Sequence, residues 1–206
     1  MDLNNPIPQE WASYVTQSAI GLEVVPAMLY DTLTFTDNVT RELVFFNQSN
    51  VAESISNLKQ PGMLPNPQSF LIQNIRIFFR TVLQTTDQGA ADATIPSAIN
   101  DIILITNTGI GTLVIGTKRY GPWPLWALPA SSFTKSIVAA AGGEAANLLT
   151  GYGQLDGPLY PLFPNLMIAP LQNFQFILSW PQAAVDTLAD RVIQVLFDGQ
   201  LARGIQ

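Results

Sequence analysis

Two pairs of carboxylates stand close enough in the chain to be read as acid–base partners. Asp186 and Asp190 lie four residues apart beside Arg191, and Asp87 and Asp92 sit in the small-residue stretch DQGAADAT. Two such groups suffice for glycoside hydrolysis when they flank a cleft, so they are the candidates for a carboxylate-dependent glycosidase. DQGAADAT also offers oxygen ligands for calcium, but without the carboxylate density of an EF-hand loop. Solvated surface charge accounts for both pairs with no chemistry at all, because exposed carboxylates are the rule. The rest of the catalytic repertoire is missing. The chain has no His and no Cys, which removes Ser-His-Asp and Cys-His constellations, histidine-bearing zinc sites and thiolate nucleophiles. The expectation is a protein that is not an enzyme, with no metal and no cofactor.

The glycines lead to the same place. In NTGIGTLVIG, Gly109 and Gly111 begin a nucleotide-loop pattern, but Val114 stands where the third glycine belongs and no Lys-Ser/Thr pair follows. A β-turn is the better account. GYGQLDG is a loop before it is a phosphate cradle, since no helical pattern starts after it. Asn38-Val39-Thr40 and Asn47-Gln48-Ser49 match the glycosylation acceptor pattern, which has meaning only in a secreted eukaryotic chain.

The elements that would carry any site follow from composition and periodicity. At 206 residues the chain suits one β-rich domain. Hydrophobic residues make up 48% and charged residues 12%, about half the usual charged share, so much of the surface is uncharged. A net charge of −6 with nine scattered Lys and Arg argues against nucleic-acid binding, which needs clustered cations. The first residues, MDLNNPIPQEW, carry Asp2 and Glu10 where a signal peptide would be basic, and no stretch has the ~18 apolar residues of a spanning helix.

Residues 9–22 place Trp11, Val15 and Leu22 at helix-like intervals, giving an expected arm or short helix over 1–25 ahead of a domain over 26–206. Leu33 and Phe35 alternate with threonines, Asp37-Asn38 supplies turn chemistry, and Leu43–Phe46 resumes, so a first hairpin is expected there. FLIQNIRIFFRTVL reads as a strand with Leu71, Ile75, Ile77 and Phe79 on its core face. DIILIT, NTG and GTLVIGTKRY read as a second hairpin with glycine at the turn. From Tyr120 to Pro170 the chain is punctuated by Pro and Gly and reads as long loops. NFQFILSWP alternates cleanly, and RVIQVLF forms a last strand before an apparent turn at Asp198-Gly199. Roughly eight strands with little helix favour an all-β antiparallel sandwich or barrel.

Three segments taken together resemble a known family. NLKQPGMLPNPQSFLIQNIRIFF at 57–79, LYPLFPNLMIAPLQNFQFILSWP at 159–181 and RVIQVLFDGQLARGIQ at 191–206 look like the jelly-roll capsid proteins of tailless icosahedral bacteriophages. There a proline-containing loop leads into a long strand, and the chain closes on a D-G-x-L-x-R-like tail, here Asp198, Gly199, Leu201 and Arg203. The resemblance implies a single jelly-roll β-sandwich of about eight antiparallel strands with long loops. It also implies a structural virion protein, assembled in the host cytoplasm into trimeric or pseudo-hexameric capsomers, beside other capsid proteins and against an internal membrane in phages that enclose one.

Low charge beside abundant Asn, Gln, Ser and Thr describes surfaces that meet protein, since interfaces are depleted of Lys, Glu and Asp. The residues expected in subunit contacts are Trp11 and Tyr14, the loop aromatics Trp123, Trp126, Tyr152 and Tyr160, and the tail residues Leu201 and Arg203. The same aromatics, with Tyr120, would serve a carbohydrate-binding jelly roll such as a phage spike or lectin, because aromatic faces stack on sugars.

Overall fold

A computed structural model describes residues 22–48, 51–80, 94–128, 132–138, 149–155, 160–182, 185–187 and 189–204. Strand β1 (Leu22–Phe35) is followed by β2 (Glu42–Phe45), β3 (Ser69–Arg80), helix α1 (Thr94–Thr108), β4 (Ile110–Ile115), β5 (Lys118–Pro124) and a 3-10 turn (Leu125–Ala127). Then come β6 (Ser132–Val138), β7 (Leu149–Leu155), β8 (Tyr160–Ile168), β9 (Phe174–Ser179) and β10 (Arg191–Gly204). One four-stranded sheet has the order β1-β10-β3-β8 and the other β2-β9-β4-β5, while among the described residues β6 and β7 pair only with each other. Every pairing is antiparallel. The fold is an all-β sandwich.

Alternation decides which face each strand buries. Phe174, Phe176 and Leu178 of β9 are buried, as are Ile193, Val195 and Phe197 of β10 and Leu113 and Ile115 of β4. They meet between the sheets as an aromatic stack: the Phe197 ring lies 4.6 Å from Phe46 and 5.9 Å, edge-on, from Phe176. Trp180 packs edge-on against Phe35 at 4.8 Å.

The expected first hairpin is not formed. β1 pairs along its whole length with β10, whereas β2 pairs with β9 in the opposite sheet. The Asp37-Asn38 turn is real, with Asn38 at a φ of 50°, but it carries the chain across the sandwich. The far edge of β1 is closed by the following loop instead. Asn57 mimics a strand residue: its Oδ1 accepts from the Tyr30 N–H at 2.9 Å, and its Nδ2 donates to the Met28 carbonyl at 2.7 Å. β1 begins at Leu22, so residues 22–25 of the expected arm are strand; residues 1–21 lie outside the described residues.

DIILIT is helical. An apolar run of this length fits either element, and in α1 it buries Asp101 and Ile105 while Ile102 leans on the core. Pro96 falls in the first turn, where its missing N–H costs nothing. Helix α1 ends at Gly109, where a Cβ would stand 2.8 Å from Leu125 Cδ2 and 2.8 Å from Trp180 Nε1. The hairpin in this region joins β4 to β5 through Gly116-Thr117. Within the stretch expected to be all loop, residues 132–138 and 149–155 form the β6–β7 hairpin and 160–168 form β8. β8 lies at the edge of its sheet in the order of the described strands, a position that tolerates Pro161 and Pro164.

β3 holds a bulge. Its pairing with β10 passes from Ile72↔Gly199 directly to Asn74↔Asp198, leaving Gln73 as the extra residue. The core face therefore switches parity, from Phe70 and Ile72 before it to Ile75, Ile77 and Phe79 after it, and Leu71 falls on the outer face with Ala202. Likewise Asp198-Gly199 is no turn: β10 runs unbroken to Gly204.

Candidate assembly surface

The two ends of the sandwich are built differently. At one end the connections are the two-residue turn 116–117, the short link 169–173 and the proline-bearing loop 46–68, in which Leu58 and Leu64 are buried. Gly62 holds that loop down, donating to the Phe46 carbonyl at 2.6 Å and accepting from the Phe174 N–H at 2.8 Å. The opposite end carries α1, the 3-10 turn, the β6–β7 excursion, the crossing 36–41 and the loop 180–190.

That second end is tied by polar contacts between its segments. Arg191, at the start of β10, pairs through Nη2 with Oδ2 of Asp101, whose side chain is 1% exposed. Trp180 Nε1 donates to the Ile105 carbonyl at 3.0 Å, and the Leu125 N–H to the Gly109 carbonyl at 2.9 Å. Asp37 accepts from the Thr187 N–H at 2.7 Å, and its own N–H donates to Asp190 Oδ1 at 2.9 Å. On this platform stand large apolar side chains that reach water: Val39, Ile103, Leu104 and Trp126, the last 67% exposed. The described part of α1 bears no charge except the buried Asp101.

The expected contact residues do not gather at one place. Trp126 is on the platform. Trp123, in β5, is partly buried and packs on the core, as does Tyr120. Tyr152 holds a position in β7 opposite Lys135, and Tyr160 one in β8 opposite Ile75. Leu201 packs toward the core. Arg203 is exposed at the far end and pairs with Glu23, its register partner across β1, at 3.1 Å. Trp11 and Tyr14 lie outside the described residues. Val39, Ile103 and Leu104 were not anticipated. The signal for the last two was present in INDIILIT, where helical spacing puts Ile102 and Ile105 on one side and Ile103 and Leu104 on the other.

Asp186 and Asp190 are exposed; Asp190 caps the 36–41 crossing and the neighbouring Arg191 serves Asp101. Asp87 and Asp92 lie outside the described residues. Gly111 is a packing glycine, since a Cβ there would stand 2.9 Å from the Phe176 ring and 3.1 Å from Leu128. Among the described residues no three His, Cys, Asp or Glu converge as metal ligands, and no helix is long and apolar enough to cross a membrane.

One further carboxyl is fully buried. Asp31 in β1 reaches across the open side of the sandwich and accepts from the Phe46 N–H at the end of β2, from the Thr32 N–H at 3.0 Å and from Gln48 Nε2 at 3.2 Å. Burial pushes its pKa above the usual carboxylate value, against the opposing pull of these donors. It joins β1 of one sheet to the end of β2 in the other. No protein-family model matches the chain, and no curated protein is similar to it.

Proposed function

We propose that this chain is a jelly-roll coat subunit whose work is self-assembly into the capsomers of an icosahedral phage shell. The observation that carries the reading is the nesting of strand pairs. Taking the eight sandwich strands in chain order, the first pairs with the last, β2 with β9, β3 with β8, and β4 with β5. Such nesting supports the reading, because one long hairpin rolled over on itself is the wrapping expected of a jelly roll, an architecture shared by capsid and lectin domains.

Two features favour the coat subunit. The long connections converge on one end, which carries Val39, Ile103, Leu104 and Trp126 among its exposed side chains, apolar groups that a neighbouring copy would cover. The sheet edges are closed to strand addition: β1 carries Pro26 and the Asn57 clasp, β5 carries Pro122 and Pro124, β8 carries Pro161 and Pro164, and β2 is four residues long. Copies that meet do so by faces and loops, which favours closed assemblies over sheet-extended aggregates.

Sedimentation from nanomolar to high micromolar concentration, with electron microscopy of the product, tests this. Discrete, closed oligomers are expected. A compact monomer across the whole range would overturn the reading.

A further inference from the structure

In the order of the described strands β1 is an edge, and side chains hold that edge shut. From the Met28 carbonyl to the Thr32 carbonyl, each outward backbone group of β1 has a partner. Asn57 donates to the Met28 carbonyl at 2.7 Å and accepts from the Tyr30 N–H at 2.9 Å. Ser56 Oγ donates to the Tyr30 carbonyl at 3.2 Å, Gln48 Nε2 donates to the Thr32 carbonyl at 3.1 Å, and Asp31 Oδ1 accepts from the Thr32 N–H at 3.0 Å. The Asn57 N–H adds a longer main-chain bond, 3.3 Å, to the Tyr30 carbonyl. The covering residues stand on the surface at Ala52, Glu53 and Ser54 and are rooted by Ser56 and Leu58, 4% and 6% exposed. The chain leaves β2 for them at Phe46, whose φ of 67° is a left-handed value that a bulky residue takes only under constraint; Asp31 holds its N–H.

We propose that residues 51–58 form an autoinhibitory strap over a strand-addition site, and that the strand they exclude is β1 of a second copy. Beneath the strap β1 lacks the guards that keep a free edge from pairing: from Ala27 to Phe35 it has no Pro, Lys or Arg, and its one charge, Asp31, is buried. The outward groups are also self-complementary. Antiparallel pairing about a two-fold axis at Tyr30 sets Tyr30 against Tyr30 and Met28 against Thr32, so that each outward N–H meets an outward carbonyl. Pro26, which has no N–H to offer, then falls at the rim opposite Thr34. In the closed form the strap does with side chains what the copy would do with its backbone. The inference concerns the edge of β1 and stands apart from the assembly reading, which uses faces and loops.

A fluorescent peptide with the sequence of β1 from Ala27 to Phe35, AMLYDTLTF, is the probe, titrated into the full chain and into its variant Ser56→Ala, Asn57→Ala. The variant is expected to bind it more tightly by about tenfold or more, because apparent affinity scales with the fraction of molecules whose edge is open. The same peptide methylated on the nitrogen of its tyrosine should bind neither protein, since the pairing runs through that N–H. Equal affinity for the two proteins, or no binding to either, would overturn the proposal. So would binding that survives N-methylation, which assigns it to side-chain contact alone. Should the double variant fail to fold, Asn57→Asp takes its place under the same criteria, because it opposes a carboxylate to the Met28 carbonyl at an exposed bond.

Discussion

The carbonyl oxygen of Leu71 lies 1.8 Å from the point where a Cβ on residue 199 would stand. The bulge at Gln73 presses β3 against β10, and only a glycine leaves room. Gly199 is therefore present for a close approach between strands and not for a turn, although the Asp-Gly dipeptide carries both meanings.

Gly199→Ala must displace backbone, because the obstructing atom is a main-chain oxygen with no rotamer to change. A loss at or above the top of the usual ~1–3 kcal/mol for overpacking is expected. Urea unfolding measures it; a loss within experimental error of zero would show that the two strands are not so close.

Asp101→Asn leaves the Arg191 guanidinium largely buried opposite a neutral amide. Breaking such a pair from one side costs about 3–5 kcal/mol, whereas replacing both partners with apolar residues is often neutral. The double variant Asp101→Leu, Arg191→Met should thus recover most of what Asp101→Asn loses. If the double variant is no more stable than the single one, the pair is not what holds α1 to β10.

Asp31 gives a pH dependence of defined sign. Burial raises its folded pKa, so between the unfolded value of about 4 and the higher folded value the native state holds more protons than the unfolded state. Its contribution to stability is full below that window and falls as pH rises through it. Asp31→Asn removes this slope, and by turning an amide N–H toward the backbone donors of Phe46 or Thr32 it costs about 1–3 kcal/mol. Stability curves of the two proteins that run parallel from acid to neutral pH would contradict the assignment.

Val195→Asp places a carboxylate on an interior strand at a residue with 0% exposure, a cost of several kcal/mol against a total of ~5–15. The domain should not fold. Arg203→Ala removes only an exposed pair with Glu23, where ~0–1 kcal/mol is at stake. A normal melt for the first, or unfolding by the second, would mean that β10 is wrongly placed.

How far the sequence reveals this molecule depends on whether a signal is local. Phe174, Phe176, Leu178 and Trp180 announce β9, and Ile193, Val195 and Phe197 announce the inner face of β10, because alternation needs no knowledge of partners. Pairing is another matter: nothing in Leu33–Phe46 says that the turn at Asp37-Asn38 crosses between sheets, since β1's partner lies at the other end of the chain. The bulge hides in the same way. In the sequence Leu71 is in phase with Ile75, and only the extra residue in the pairing reverses its face. For the candidate surface, Trp126 was visible as an aromatic in a punctuated stretch, whereas Ile103 and Leu104 were concealed by a run that suits strand and helix equally.

That run also supplies a test of the assembly reading within one turn of helix. Ile105 is fully buried, while Ile103 and Leu104 beside it are 48% and 37% exposed. Ile105→Ala should therefore cost about 2–5 kcal/mol by opening a cavity under α1, lowering the unfolding midpoint at every protein concentration. Ile103→Gln with Leu104→Gln and Trp126→Ser touches only the outer surface, so the monomer's stability should change by no more than ~0.5 kcal/mol per site. If copies meet through this end, the triple variant loses three apolar contacts that a neighbour would have covered, and central interface side chains are typically worth ~1–2 kcal/mol or more each. Sedimentation equilibrium should then show the dissociation constant raised by at least tenfold with an unchanged circular dichroism spectrum. A triple variant that assembles as tightly as the parent would move the interface to another part of the sandwich.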